Sequence, residues 1–237
     1  MKSLRATSLG RARRAAAIRA RIRTVALLSS CLLSPPVSHA DDPISTAIAG
    51  LQQRYAAVNT VTASFVQTYR ATGMNQTESG TLWMKKPGLM YWEYRFPEPK
   101  YFYADGRRTY LYVPADRQVM LRSFTEEDLH STPLEFLLGK GKILLTFGAS
   151  RETEIKSSSN DTVMVRLTPK APDLDYSYLV LEIDSRTFDL HRIAIRERTG
   201  NLSDFAFTEM RTNVKINDNR FRFQMPKDVE VIELDEK

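Results

Sequence analysis

The sequence predicts a mainly β protein with a minor helical part: about 11 to 12 antiparallel strands, one N-terminal helix and a short helical insert. Three observations carry that reading. From Val61 onward apolar residues recur with a period of two, the spacing of a strand with one buried face. Turn signals such as Thr72-Gly73-Met74-Asn75, Asp105-Gly106 and Thr199-Gly200-Asn201 separate the runs by short intervals, which favours hairpin neighbours over βαβ units. The stretch Gly80 to Tyr112 holds both tryptophans, six of the ten tyrosines and two phenylalanines. Several of its runs are apolar on both faces, whereas an antiparallel sheet normally hides one face and wets the other. Another sheet, a lid, a membrane or a ligand must therefore cover the second face. So many antiparallel strands predict a sandwich or a strongly curved barrel.

The first forty residues stand apart. Lys2, Arg5, Arg11, Arg13, Arg14, Arg19, Arg21 and Arg23 come without any acid, an apolar run follows from Val25 to Leu33, and Ser38-His39-Ala40 closes the segment. That order of charged, apolar and small-residue regions is a secretory signal peptide, with cleavage expected after Ala40. The alternative, a basic tail for nucleic acid, lacks this order. The run is too short to span a bilayer. Removing the eight leader charges from a net charge of +6 leaves −2, so nucleic acid is not an expected partner. The single cysteine, Cys31, also lies in the leader, and a thiol-free mature chain suits an oxidising compartment. Leu28-Ser29-Ser30-Cys31 resembles a lipobox, which leaves lipidation of Cys31 as a second possibility. The remaining residues, 41–237, are expected to form one domain.

Asp42-Pro43 caps a helix, and Ile44, Ala47, Ile48, Leu51, Tyr55 and Val58 recur on one face, predicting an amphipathic helix of about four turns packed on the sheet. Strands are then expected at Val61 to Tyr69, Gly80 to Lys85, Leu89 to Phe96, Lys100 to Ala104, Thr109 to Val113 and Gln118 to Arg122. Met90, Trp92, Tyr94 and Phe96 share a face of the third. Lys86-Pro87-Gly88, Pro97 and Pro99 act as breaks. From residue 125 to 147 the pattern fails. Thr132-Pro133-Leu134-Glu135 is a capping box with proline at the first helical position. Leu134, Phe136, Leu137 and Leu138, and then Ile143 to Phe147, are apolar. Such a segment either plugs the core or forms a lid over an apolar cavity. Strands are expected again at Arg151 to Ser157, Thr162 to Thr168, Tyr178 to Asp184, Leu190 to Arg198, Leu202 to Arg211 and Arg220 to Met225.

Catalytic constellations are sparse. His130 and His191 are far apart with no metal-ligand spacing, and there is no GxSxG elbow, phosphate loop or GxGxxG. No enzymatic activity and no cofactor are expected. Binding remains, and a cavity of Trp, Tyr, Phe, Met and Leu suits an acyl chain. At about 0.8 kcal/mol per methylene, a buried C16 chain contributes on the order of 10 kcal/mol before ordering costs.

Ala63-Ser64-Phe65-Val66-Gln67, Gly80-Thr81-Leu82-Trp83-Met84-Lys85-Lys86-Pro87-Gly88, Trp92, Pro97, Asp105-Gly106 and Tyr112 together resemble the LolA-type outer-membrane lipoprotein carriers. Leu167-Thr168-Pro169-Lys170 and Phe221-Arg222-Phe223-Gln224-Met225-Pro226 with Val229 extend the resemblance to nearly all of the mature chain. The resemblance implies an incomplete, strongly curved antiparallel barrel closed by helices that act as a lid. It implies a periplasmic monomer that takes lipoproteins from an inner-membrane ABC-type releasing transporter and delivers them to an outer-membrane receptor. Phe65, Leu82, Met84, Met90, Trp92 and Tyr94 become the cavity candidates, and Leu134, Phe136, Leu137 and Leu138 the lid candidates. The family commonly has arginine before the motif proline, hydrogen-bonded to lid backbone. Here it is Lys86, a candidate latch that keeps the charge but loses the planar fork. A receptor or a carrier of another lipid on the same fold, and a periplasmic sensing domain, are the rival readings.

Overall fold

The structure is a computed structural model, described for residues 42–124, 143–171 and 176–234. The leader, Cys31, His130 and the lid candidates Leu134, Phe136, Leu137 and Leu138 lie outside those residues.

Helix α1 (Pro43–Ala56) begins where expected. The Asp42 carboxylate accepts from the backbone N–H of Ile44 (3.4 Å) and Ser45 (3.3 Å), satisfying donors that have no partner within the first turn. Ala47, Ile48, Leu51 and Tyr55 form its buried stripe. Gly50 belongs to that stripe for a different reason. A Cβ there would lie 2.3 Å from the ring of Phe188, so the helix rests directly on that side chain.

The strands are β1 (Thr60–Ala71), β2 (Met74–Lys85), β3 (Leu89–Phe96), β4 (Lys100–Asp105), β5 (Arg108–Val113) and β6 (Gln118–Ser123). After the short helix α2 (Ile143–Thr146) come β7 (Phe147–Arg151), β8 (Thr162–Pro169), β9 (Tyr176–Asp184), β10 (Leu190–Glu197), β11 (Leu202–Thr212) and β12 (Glu230–Glu233). They form one twelve-stranded sheet in the order β12-β6-β5-β4-β3-β2-β1-β11-β10-β9-β8-β7. Two meanders, β1–β6 and β7–β11, are welded by the long β1–β11 pairing from Val61↔Thr212 to Arg70↔Leu202. The sheet is curved but does not close, because β12 and β7 remain its two ends.

Alternation sorts the side chains onto two faces. The inner face carries Phe65, Leu82, Met84, Met90, Trp92, Val165, Leu167, Leu181, Ile193 and Phe207, which form one buried cluster with Ile48, Leu51 and Tyr55 of α1. The outer face of β2–β5 carries a second aromatic row. Trp83 stacks on Tyr91 at 5.1 Å and Tyr91 on Tyr103 at 4.5 Å. This second apolar face is covered by the C-terminal segment, whose Phe223 stacks on Tyr110 at 4.8 Å while the Arg220 guanidinium sits 4.4 Å over Trp83.

Three expected elements differ. Arg220 to Met225 is not a strand: a 3-10 turn (Asp218–Phe221) leads into irregular chain. The alternation of Phe221 and Phe223 there reflects one ring buried in the body and one laid on the tyrosines. The closing strand is β12 instead, and it pairs parallel with β6, as in Val231↔Val119. Residues 152–161 are also irregular, and the strand expected at Arg151 to Ser157 is β7, ending at Arg151. Here side chains replace the ladder. Glu152 accepts from the Glu154 and Ile155 N–H groups and pairs with Arg166 at 2.7 Å. Phe147, expected within the insert, is a buried core residue of β7.

Candidate binding cavity

The inner face is not filled along its whole length. Beyond the reach of α1 a cavity of about 300 Å³ opens. Six strands contribute to it: Gln67 from β1, Trp92 and Tyr94 from β3, Lys100 and Phe102 from β4, Leu111 from β5, Ile193 and Ile195 from β10, and Phe205 from β11. Register explains the convergence. Trp92 lies opposite Phe102, Phe102 opposite Leu111, and Gln67 opposite Phe205.

Gly80 makes the aromatic wall possible. It pairs with Phe65 on one side and Tyr94 on the other, and a Cβ there would lie 1.8 Å from the Glu93 carbonyl oxygen. With no side chain at Gly80, the Phe65 ring meets both Trp92 and Tyr94 edge-on at 4.9 Å. Phe205 meets Trp92 edge-on at 5.7 Å. Such edge-to-face pairs are favourable beyond their buried area and hold the wall open.

One rim is polar. The Tyr94 hydroxyl donates to Gln67 Oε1 at 3.0 Å. Lys100 Nζ donates to Glu78 Oε2 at 2.6 Å and lies 4.2 Å from the Tyr94 ring centroid. Gln76 Nε2 donates to the other Glu78 oxygen at 3.2 Å. Burial, helped by the Glu78 charge, pushes the Tyr94 phenol well up, so it remains a neutral donor.

Of the expected cavity residues, Trp92 and Tyr94 line this space and Phe65 packs behind both. Leu82, Met84 and Met90 are at most 2% exposed. They sit in the inner-face cluster with α1 and do not line the cavity. Gln67, Lys100, Phe102, Leu111, Ile193, Ile195 and Phe205 complete the lining; only the β1–β11 pairing brings the last three to the site.

Lys86 has a definite partner. Its Nζ donates to the carbonyl oxygens of Tyr55 (2.8 Å) and Ala56 (3.2 Å), in the last turn of α1, where carbonyls lack the usual i+4 helical donor. A cation there also complements the helix dipole. Burial draws the ammonium pKa down. Tyr55 secures the same end: its hydroxyl accepts from Leu190 N at 3.2 Å and donates to Met210 Sδ at 3.0 Å.

A larger depression, about 700 Å³, lies on the outer face among Thr68, Arg70, Glu182, Arg192 and Asp204. Its charges face one another: Arg192 Nε donates to Asp204 Oδ1 at 2.6 Å, and Glu182 Oε1 accepts from Ser158 N at 2.7 Å and Thr162 Oγ1 at 3.0 Å. Val66, Leu190, Ala206, Phe207 and Met210 also border it, so it is a mixed surface in which most of the charges are paired. His191 borders it. Among the described residues no cluster of three His, Cys, Asp or Glu could hold a metal ion, and no helix is long and apolar enough to cross a membrane.

An open, mostly antiparallel sheet with a largely apolar inner cavity has the form of a small-molecule or chain-binding site. The model for the outer membrane lipoprotein carrier protein LolA matches residues 56–224. The chain is 27% identical to the outer-membrane lipoprotein carrier protein of Neisseria gonorrhoeae, over 86% of this chain and 94% of that protein. It is 28% identical to that of Hahella chejuensis, over 89% and 98%. Among solved structures it is similar to an uncharacterized conserved protein of Thermus thermophilus (TM-score 0.49, 10% identity, 79% of this chain and 96% of that one). Another is a LolA superfamily protein of Nitrosomonas europaea (TM-score 0.40, 9% identity, 76% of this chain and 97% of that one). The chain belongs to the LolA family of lipoprotein carriers.

Proposed function

We propose that this chain is a periplasmic carrier that shelters the acyl chains of lipoproteins in its inner-face cavity between inner and outer membranes. Family membership supplies the carrier role. The observation that adds to it is the cavity of Trp92, Phe102, Leu111, Ile193, Ile195 and Phe205, apolar on all but one rim. Acyl burial there provides affinity without any catalytic step or cofactor. In this reading the leader is cleaved after Ala40, which the intact mass of the mature chain reports, and residues 41–237 act as one carrier domain. An inner-membrane ABC-type transporter loads it and an outer-membrane receptor unloads it. The segment about 125–147, with Leu134, Phe136, Leu137 and Leu138, covers the cavity. Its described neighbours Phe124 and Ile143 both pack on the inner-face cluster, which supports that role.

The test places a charge in the cavity. Leu111→Glu, at a partly buried lining position, should melt within a few degrees of the parent yet lose at least tenfold in affinity for a lipidated lipoprotein, because a carboxylate must be desolvated against hydrocarbon. The same cargo made without its lipid should bind neither. Equal capture of lipidated and lipid-free cargo by the parent would overturn the proposal.

Lys86 is the latch in this reading, acting on α1. Lys86→Leu should leave the fold intact, lower stability by about 1 kcal/mol through the uncapped helix end, and speed cargo release, while Lys86→Arg retains parent behaviour. Unchanged release kinetics in Lys86→Leu would remove the latch role.

A further inference from the structure

We propose that the polar rim formed by Gln67, Tyr94 and Lys100 is a subsite for the carbonyl oxygen of an acyl ester or amide, so that the cavity recognises the linkage of the chain as well as the hydrocarbon. The proposal rests on the acyl-cavity reading above and deepens it.

The argument is an account of donors. Lys100 Nζ has three N–H groups. One goes to Glu78 Oε2 at 2.6 Å, and one side of the ammonium faces the Tyr94 ring at 4.2 Å. No further acceptor takes the remaining donor among the described residues. Gln67 accepts through Oε1 from the Tyr94 hydroxyl, and its Nε2 donors likewise have no protein acceptor among the described residues. Both side chains border the cavity, whose other lining residues are Tyr94 and apolar side chains. Donors facing an apolar space favour a ligand that brings an acceptor at the end of a hydrocarbon chain.

Charge selects which acceptor. Glu78, with its side chain only 11% exposed, neutralises Lys100 and is held in place from the other side by Gln76 at 3.2 Å. The rim therefore carries no net charge. A carboxylate or phosphate placed on it would lose hydration without gaining an uncompensated cation and would face Glu78 as well. A carbonyl oxygen is easily desolvated and needs only the two donors. An ester- or amide-linked acyl chain has that oxygen next to its first methylene, where an apolar wall meets a polar rim.

The experiment compares three probes on the purified chain by calorimetric titration. The probes are a synthetic lipopeptide with two ester-linked palmitoyl chains, its ether-linked analogue of the same chain length, and free palmitate. The parent should bind the ester probe about tenfold more tightly than the ether analogue, the worth of one or two hydrogen bonds with a charged donor. Gln67→Leu should erase most of that preference, bringing the ester-to-ether affinity ratio close to one. Lys100→Met alone would strand Glu78, so the second variant is Glu78→Gln with Lys100→Met, which removes the pair together and should also erase the preference. Glu78→Gln alone should shift preference toward palmitate, because Lys100 then stands uncompensated. Equal affinity of the parent for ester and ether, or a preference that survives both Gln67→Leu and the double variant, overturns the subsite while leaving the acyl cavity standing. Tighter binding of palmitate than of ester by the parent overturns it in favour of an anion site. Failure of the parent to bind any of the three overturns the acyl-cavity reading, and the subsite with it.

Discussion

Glu152 replaces a stretch of ladder with one side chain. It is buried, accepts from two backbone N–H groups, and receives Arg166 Nε at 2.7 Å and Nη2 at 3.1 Å. Burial pushes its carboxyl up, but the guanidinium and the two N–H donors outweigh that and hold it at about 2, below its ordinary 4.5. The sign follows from linkage. A carboxyl with a depressed folded pKa stabilises the protein fully above its unfolded value, and that contribution disappears as pH falls through the folded one. Glu152→Gln should therefore cost about 2 kcal/mol at neutral pH, with parent and variant converging between pH 4.5 and about 2. Thermal melts across that range check it, and a constant gap down to pH 2 would show that Glu152 acts through packing. No local pattern announced this residue. Arg151 to Ser157 has the composition of an exposed strand, and the use of Glu152 as a backbone acceptor depends on Arg166 reaching it from β8.

At the scale of elements, α1 is clamped by the β9–β10 turn. Phe188 enters that turn with φ +58 and fills the place where Gly50 lacks a side chain, while Arg54 pairs with Asp189 at 2.7 Å. Helix propensity alone says that Gly50→Ala should stabilise by up to about 1 kcal/mol. The ring at 2.3 Å reverses the sign, and a loss of about 1 to 3 kcal/mol is expected from overpacking. Gly50→Ala combined with Phe188→Ala should recover part of it, so the pair should couple strongly in a double-mutant cycle; additive effects would show that helix and turn do not bear on each other. The elements themselves were largely legible. The helix start at Asp42-Pro43 and the strands from Leu89 to Arg122 follow from local pattern, since each is adjacent in space to its neighbour in sequence. The miss at Arg220 to Met225 has the opposite cause. Phe221 and Phe223 alternate as in a strand, but Phe223 stacks on Tyr110 from outside the sheet, and residues of another element decide that. The cavity divides in the same way: Trp92 and Tyr94 could be read from the β3 alternation, whereas Ile193, Ile195 and Phe205 reach it only because β11 pairs with β1.

For the whole molecule, the open sheet sets how much chain can be sheltered. β6 ends at Ser123 beside Arg108, at the rim where β5 starts, whereas β7 starts at Phe147 beside Pro169, where β8 ends. These are opposite rims, and β6 and β7 lie near opposite ends of the sheet order. The inner face between them is divided. α1 covers the part with Leu82, Met84 and Met90, and the cavity occupies the part with Trp92, Phe102 and Phe205. A chain entering at the Lys100 rim would meet a finite apolar space of about 300 Å³, and beyond its lining α1, held by Lys86 and Phe188, packs on the same inner-face cluster. Affinity should rise by about fourfold for each added methylene while the chain still finds apolar surface, since each contributes about 0.8 kcal/mol. It should level off once the tail meets α1. Calorimetric titration with acyl probes of increasing length checks this. Gly50→Ala, by lifting α1 off Phe188, should move the plateau toward longer chains. A fourfold gain per methylene that continues without a plateau in the parent would show that α1 yields to the ligand and is not the end wall of the cavity.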